Sequence, residues 1–244
     1  MNNSTITIPD NNLTDAIRTT LGLKQDEPIF EKQLGELDTL IAEEKGIKDL
    51  TGLDKAKNLR ILELQKNQIT DITPISSLTK VIYLEFWDNQ IEDIRPLANL
   101  TQITKLGLGE NRISDISPLS GLIKLTEMGL WDNQIEDISP LANLTQLQLL
   151  NVRRNKLRDI TPLAHLNQLT HLWLSGNELN NMSHIEELTK LTHLSLDQNK
   201  ISNFSFVENF SNLQVLRIKD NPIQDMTSIK RLTKQLPDLE LDVE

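Results

Sequence analysis

The chain of 244 residues contains no cysteine, which removes a disulfide framework, a thiolate metal site and a cysteine nucleophile at once. Stability must come from packing alone. Aromatic residues are few, with three Trp, one Tyr and five Phe, so the places where Trp and Tyr fall carry unusual weight. No apolar run reaches the roughly 20 residues that a bilayer-spanning helix needs. The opening "MNNSTITIPD" has neither the basic region nor the apolar stretch of a secretory leader. A soluble chain with no membrane insertion is expected, cytoplasmic or secreted with its leader removed. Net charge is -10 and basic residues form no stripe, which argues against nucleic acid, whose phosphates demand clustered Lys and Arg. Catalytic patterns are missing too. No Ser is paired with a base in a motif, no glycine loop could cradle phosphate, and no H-E-x-x-H is present. Neither an enzyme nor a cofactor is expected.

What the sequence does have is a period. Asn67, Asn89, Asn111, Asn133, Asn155, Asn177, Asn199 and Asn221 follow one another at intervals of 22 residues. Around each lies L-x-x-L-x-L-x-x-N-x-L, for example Leu147, Leu150, Val152, Asn155 and Leu157, the signature of a leucine-rich repeat. A degenerate unit precedes them, with Leu37, Leu40, Ala42 and Ile47 in the apolar slots and Lys45 where Asn would stand. A coil of this kind stacks its leucines into a continuous interior, while each Asn amide satisfies backbone groups left unpaired by the turn. The alternating x-L-x-L-x portion predicts a strand, and stacked coils then build a parallel sheet with strands about 4.8 Å apart. Pro74, Pro96, Pro118, Pro140 and Pro162 share one later slot, mostly after Ser or Thr. That pairing predicts a Ser/Thr N-cap with proline at the first helical position of short 3-10 turns on the convex side. His184, Phe206 and Ser228 replace the proline further on, and less regular turns are expected there.

Three segments follow within one structural domain: a helical N-terminal cap over residues 1–36, a repeat array over residues 37–231 with one degenerate and eight regular units, and a capping strand over residues 232–244. In the cap, Leu13, Ile17 and Leu21 recur at helical spacing after an Asp/Asn start, and "EPIFEKQLGEL" reads as a second short helix. The closing strand lies in "LTKQLPDLELDVE", one residue out of period. End coils need such caps because they would otherwise expose the core.

The repeats "NQITDITPISSLTK" and "NQIEDISPLANLTQ", with "IPDNNLTDAIRTTLG" and "GIKDLTGLDKAKNLRILEL" ahead of them, resemble bacterial internalin-type leucine-rich repeat proteins of the 22-residue class. The resemblance covers essentially the whole chain. It implies an α/β fold, a right-handed solenoid or horseshoe with a parallel sheet on its concave face and an α-helical N-terminal cap. It also implies that the concave face binds a protein partner.

Third, fifth, seventh and eighth slots of each repeat point away from the core, because strand side chains alternate. Tyr83, Trp87, Trp131 and Trp173, the only Tyr and all the Trp, fall in those slots. Aromatic anchors are favoured at interfaces. The same slots hold Glu43, Glu44, Glu63, Glu85, Asp88, Glu110, Glu127 and Asp132 against Lys66 and Lys105 in the earlier repeats, then Arg153, Arg154, Arg217 and Lys219 against Asp197 and Asp220 later. Trp87 and Trp131 stand two repeats apart, about 10 Å by strand spacing, with Gly107, Gly109 and Gly129 between them. The expected result is a notch with indole walls, a floor without side chains and an acidic margin suited to a partner's Lys or Arg. His171 and His193 share one slot in adjacent repeats and form a weak candidate for metal, with none expected to bind. The function expected is a non-enzymatic module binding a protein or peptide on the concave face. The alternative is a structural scaffold that self-associates as a homodimer through the aromatic patch, although a monomer is expected.

Overall fold

Asn67, Asn89, Asn111, Asn155, Asn177, Asn199 and Asn221 each tie their coil to the one before by a side-chain amide. In the computed structural model, which describes residues 4–243, the Asn67 carbonyl oxygen accepts the Ile47 N–H at 2.9 Å and the Lys45 N–H at 3.1 Å. Its amide nitrogen donates to Ala42 and Leu64 carbonyls, both at 2.9 Å. All these partners are backbone groups, some in the asparagine's own coil and some in the one before. Asn89, Asn155, Asn177 and Asn199 repeat the arrangement and are all at least nine-tenths buried. The degenerate unit explains itself on this basis. Lys45 has no earlier coil whose backbone an amide could serve, so nothing demands Asn there.

The chain divides into two compact units, residues 1–124 and residues 125–244. In the first, helix α1 (Asn11–Leu21) and the short α2 (Glu31–Glu36) precede strands β1 (Thr39–Ile41), β2 (Ile61–Glu63), β3 (Tyr83–Glu85) and β4 (Lys105–Gly107). These strands are parallel, in chain order, and in a register of one repeat, with Leu40 opposite Leu62 and Leu84 opposite Leu106. The N-terminal cap has the expected helices. Asp10 caps α1 by accepting the Leu13 N–H at 3.0 Å, and Gly22 ends it in the left-handed region at φ 68°. The second carboxylate oxygen of Asp10 accepts the N–H groups of Lys48 and Asp49 at 2.8 and 3.1 Å, which clasps the cap to the first coil. Leu13 and Ile17 are fully buried beneath it.

In the second unit, β5 (Glu127–Gly129), β6 (Leu149–Asn151), β7 (His171–Trp173), β8 (His193–Ser195), β9 (Val215–Arg217) and β10 (Glu240–Asp242) are again parallel and in order. The last pairing departs from expectation. Val215 lies opposite Glu240, 25 positions on, so three residues are inserted rather than one. The reason is α3 (Thr227–Gln235), a helix of nine residues where other coils have 3-10 turns of three to five. The irregularity expected after Met182 is therefore graded, from a short turn at Ser183–Ile185 through five residues at Ser205–Asn209 to α3. Phe204, Phe206 and Phe210 pack together here, with ring centres 5.6 and 6.1 Å apart.

Capping of the back turns also differs from the sequence expectation. The turns begin on the Ser or Thr itself, as in Thr73–Ile75 and Ser139–Leu141, with proline second. The cap is the aspartate two residues earlier. Asp71, Asp115, Asp137 and Asp159 each accept the backbone N–H of the residue two positions on, at 2.7 to 2.8 Å, the Asx turn open to a short carboxylate. The hydroxyls of Ser139 and Thr161 donate to the same carboxylates instead of capping.

Along each coil the leucine-pattern positions are closed to solvent. Leu59, Leu62, Leu64, Ile69, Ile72, Ile75 and Leu78 of one coil are all buried, and burial of each such side chain contributes on the order of 2 kcal/mol. Among the described residues no helix is long and apolar enough to cross a membrane.

Two expectations follow. Replacing Asn155 by Leu removes the acceptor of Ile135 N–H and the donor to the Leu130 and Val152 carbonyls. Chemical denaturation should show a loss of at least about 2 kcal/mol, the cost of buried backbone groups left unpaired, and an unchanged midpoint would refute the rung. Acid should also loosen the fold. The Arg95 guanidinium holds Asp93, and the backbone N–H of Ser117 holds Asp115, below the usual carboxylate range. Their hydrogen bonds stabilise the folded state above the unfolded value near 3.8, and that contribution is lost as pH falls through the lower folded values. Thermal melts between about pH 5 and 2 should show the melting temperature dropping in that window.

Candidate functional site

Because Leu84, Leu106, Met128, Leu150, Leu172 and Leu194 turn inward, the residues on either side of them turn outward in each unit. The chain then leaves each of β1 to β9 through a left-handed residue. Glu44, Lys66, Asp88, Glu110, Asp132, Arg154, Gln198 and Asp220 have φ between 51 and 56°, and Gly176 completes the column at 69°. A side chain pays roughly 1 kcal/mol or more for that conformation, which the asparagine in the next position over-determines through its rung. The effect is to aim the eighth-slot side chains outward from a rigid strand end.

In the first unit, Tyr83 and Glu85 lie opposite Lys105 and Gly107. Tyr83, Glu85 and Trp87 are half-buried, Asp88, Lys105 and Glu110 are exposed, and Gly107 and Gly109 are buried. Trp87 is occupied on one side by Lys66, whose ammonium lies 5.0 Å from the ring centre and 2.9 Å from Glu43. Hydrogen bonding to Glu43 raises Lys66 and lowers the carboxyl in turn. In the second unit Glu127, Gly129, Trp131 and Asp132 are half-buried, Arg153 and Arg154 exposed, and His171 and Trp173 half-buried.

At Gly107 and Gly129 the open floor expected is not found. A β-carbon built on Gly107 would stand 2.6 Å from the Glu85 carboxyl carbon, and one on Gly129 would stand 2.9 Å from Cε3 of Trp131. Each glycine is therefore roofed by a neighbour's side chain, Gly107 by Glu85 and Gly129 by Trp131. Glycine removes the Cβ that would hold those side chains off the sheet, and they settle onto the bare backbone.

His171 and His193 stand opposite each other with rings stacked at 4.2 Å and 12°, and His171 also lies 5.5 Å from the Trp173 ring. Each Nδ1 sits against its preceding threonine hydroxyl, at 2.9 and 3.0 Å. Rings stacked in nearly parallel planes send their remaining nitrogen lone pairs side by side rather than to one point, a poor geometry for chelation. Burial and then the neighbouring His193 charge lower the pKa of His171.

The sequence places Arg153, Arg154, Trp173 and Arg217 outward but does not bring them together. Between β6 and β9, Arg153, Arg154, Trp173 and Arg217 surround a hollow of about 250 Å³. Its floor is a hydroxyl–carboxylate cluster, Ser175 and Ser195 2.6 Å apart and 3.2 and 3.1 Å from Asp197. Ser175 and Ser195 occupy outward slots as Asp197 and Arg217 do, so the period could have pointed to them. Small hydroxyls give no signal until the fold stacks them.

Coils of strand, asparagine turn and 3-10 segment, begun by a helical cap, define a leucine-rich repeat solenoid of the α/β class. Residues 79–121 and 123–165 match the family described as leucine rich repeats in two copies. The fold is similar to an internalin, InlF, of Listeria monocytogenes, at 32% identity over 97% of this chain and 76% of that one, with a TM-score of 0.92. It is likewise similar to internalin C2 of the same organism, at 37% identity over 86% of this chain and 93% of that one, with a TM-score of 0.84. A plant peptide hormone receptor, RGFR1, solved with RGF2, is similar at 25% identity over 78% of this chain and 33% of the receptor, with a TM-score of 0.67. Comparison with curated proteins gave no match. The chain belongs to the bacterial internalin-type leucine-rich repeat proteins. It is thereby a protein–protein interaction module in the general sense that the fold and these relatives support.

The stacked pair makes a spectroscopic prediction. His171 should titrate below the ordinary histidine value of 6.5, and NMR of His193→Ala should move it upward as the neighbouring charge is lost. Below 6.5 the unfolded chain binds a proton that folded His171 refuses, so stability should decline as pH falls through that window. An unmoved His171 resonance in the variant would refute the coupling.

Proposed function

We propose that the outward strand face is the surface on which this module binds a protein or peptide, without catalysis. One observation carries the reading. The core is filled by Leu, Ile and Phe, whereas Tyr83, Trp87, Trp131 and Trp173 all come out half-buried on the strand side. Large rigid aromatics held partly open to solvent are the usual anchors of an interface. In the first unit, the contact of Lys66 with Trp87 and the exposed carboxylates of Asp88 and Glu110 support a Lys or Arg of the partner as the group received there.

The test is binding of a partner captured by the immobilised protein and then identified. Trp87→Ala and Trp173→Ala should each weaken it by at least about 2 kcal/mol while leaving the denaturation midpoint near the parent's. Full affinity in both variants would move the binding surface to the back or lateral faces of the coils. Light scattering at several protein concentrations checks the competing homodimer, which predicts a mass that doubles with concentration and reverts to monomer in Trp131→Ala.

A further inference from the structure

The hollow of the second unit has a chemistry opposite to that of the chain that carries it. The protein is strongly acidic, with a net charge of -10, yet Arg153, Arg154 and Arg217 gather around about 250 Å³ of open space. None of the three is consumed by the fold. Arg153 is exposed, and among the described residues its side chain pairs with no carboxylate. Arg154, itself exposed, reaches the half-buried Asp132 at 3.5 Å, and Arg217 reaches Glu240 at 3.4 Å as an exposed pair. Such pairs exchange partners readily.

The rest of the hollow is stiff. The stem of Arg154 lies over Gly176, where an added β-carbon would come within 3.0 Å of its Cγ, so a glycine seats the arginine close to the sheet. Asp197 is satisfied from within, by the Ser175 and Ser195 hydroxyls and by the Lys219 N–H at 3.0 Å. It takes no hydrogen bond from the arginines, so Arg153 keeps its donors, and Arg154 and Arg217 spend theirs only on the surface carboxylates Asp132 and Glu240. Trp173 adds an apolar wall.

We propose that this hollow binds an acidic segment of a protein partner, seating a carboxylate between Arg153 and Arg217 with a neighbouring apolar side chain against Trp173. The proposal rests on the strand-face reading and adds the partner's chemistry to it. Guanidinium groups suit carboxylates because their donors pair with both oxygens. Guanidinium groups pair with phosphate as well, so a phosphoserine peptide is the competing ligand in the test. The chain's overall negative charge opposes loose association of acidic peptides, so saturable binding of one reports a local site.

The experiment uses the full chain and a fluorescein-labelled decapeptide with a Glu-Glu pair beside one Phe, read by fluorescence anisotropy. Control peptides carry Gln-Gln, or phosphoserine, in place of the acidic pair. The Glu-Glu peptide should bind saturably and the Gln-Gln peptide at least about tenfold more weakly. Arg153→Gln and Arg217→Gln should each weaken the Glu-Glu peptide about fivefold or more, charge-assisted hydrogen bonds being lost, and raised salt should weaken it further. Arg153 supports no other group, so an unchanged denaturation midpoint is expected in its variant. Equal affinity for the Glu-Glu and Gln-Gln peptides, or indifference to both arginine variants, overturns the proposal. A phosphoserine peptide bound ten times more tightly than the Glu-Glu peptide also overturns it, in favour of a phosphate site. If the acidic peptide fails while a captured partner is still lost in Trp87→Ala, the hollow alone is wrong and the strand-face reading stands.

Discussion

The rest of this structure depends on one shared hydrogen-bonding group, the asparagine amide that serves two coils. Burying an amide is costly unless its donors and acceptor are met, and here both ends are met only if the preceding coil presents its backbone at the right place. That requirement holds the period at 22 through Asn221. Where the last rung has been made, the spacing relaxes, and β10 pairs with β9 at an offset of 25 across a full α-helix. At the other end, Lys45 stands free of the pattern because a helical cap, and no earlier coil, precedes it.

The same amide frees the opposite side of the sheet. Since the rungs and leucine ladders hold each coil together, outward side chains contribute little to the fold and can be chosen for other chemistry. Left-handed residues at the strand ends add to this, because their strain is borne by the turn and their charged side chains are presented on a fixed backbone. Acidic and aromatic groups in the first unit and the arginine hollow in the second are two uses of one freedom.

Much of this was legible in the sequence. The asparagine spacing, the leucine slots and the Asp/Asn start before Leu13 specify coils, core and cap with only local rules. Alternation along each strand also places Tyr83, Trp87, Trp131, Trp173 and the charged residues outward. What local rules could not supply was which side chain meets which across coils. Glu85 over Gly107 and Trp131 over Gly129 are rotamer choices made against bare backbone. Asp71 and its equivalents take the capping role from Ser and Thr because a carboxylate two residues upstream reaches the same turn first. Ser175 and Ser195 are unremarked in their own repeats and join Asp197 as a cluster only when adjacent strands set them side by side.

A rung that asks only for an identical neighbour also governs how such a chain can change its length. Removing or copying one whole coil leaves each asparagine facing an equivalent backbone, whereas an indel of any other size inside the array strands a buried amide. The outward face is therefore a surface that lengthens or shortens in whole steps, each one strand wide and about 4.8 Å across. The near-identical stretches beginning at Phe86 and Leu130 stand two whole periods apart, as that constraint requires. Recombination among coils can then change what the face recognises while the interior stays as it was.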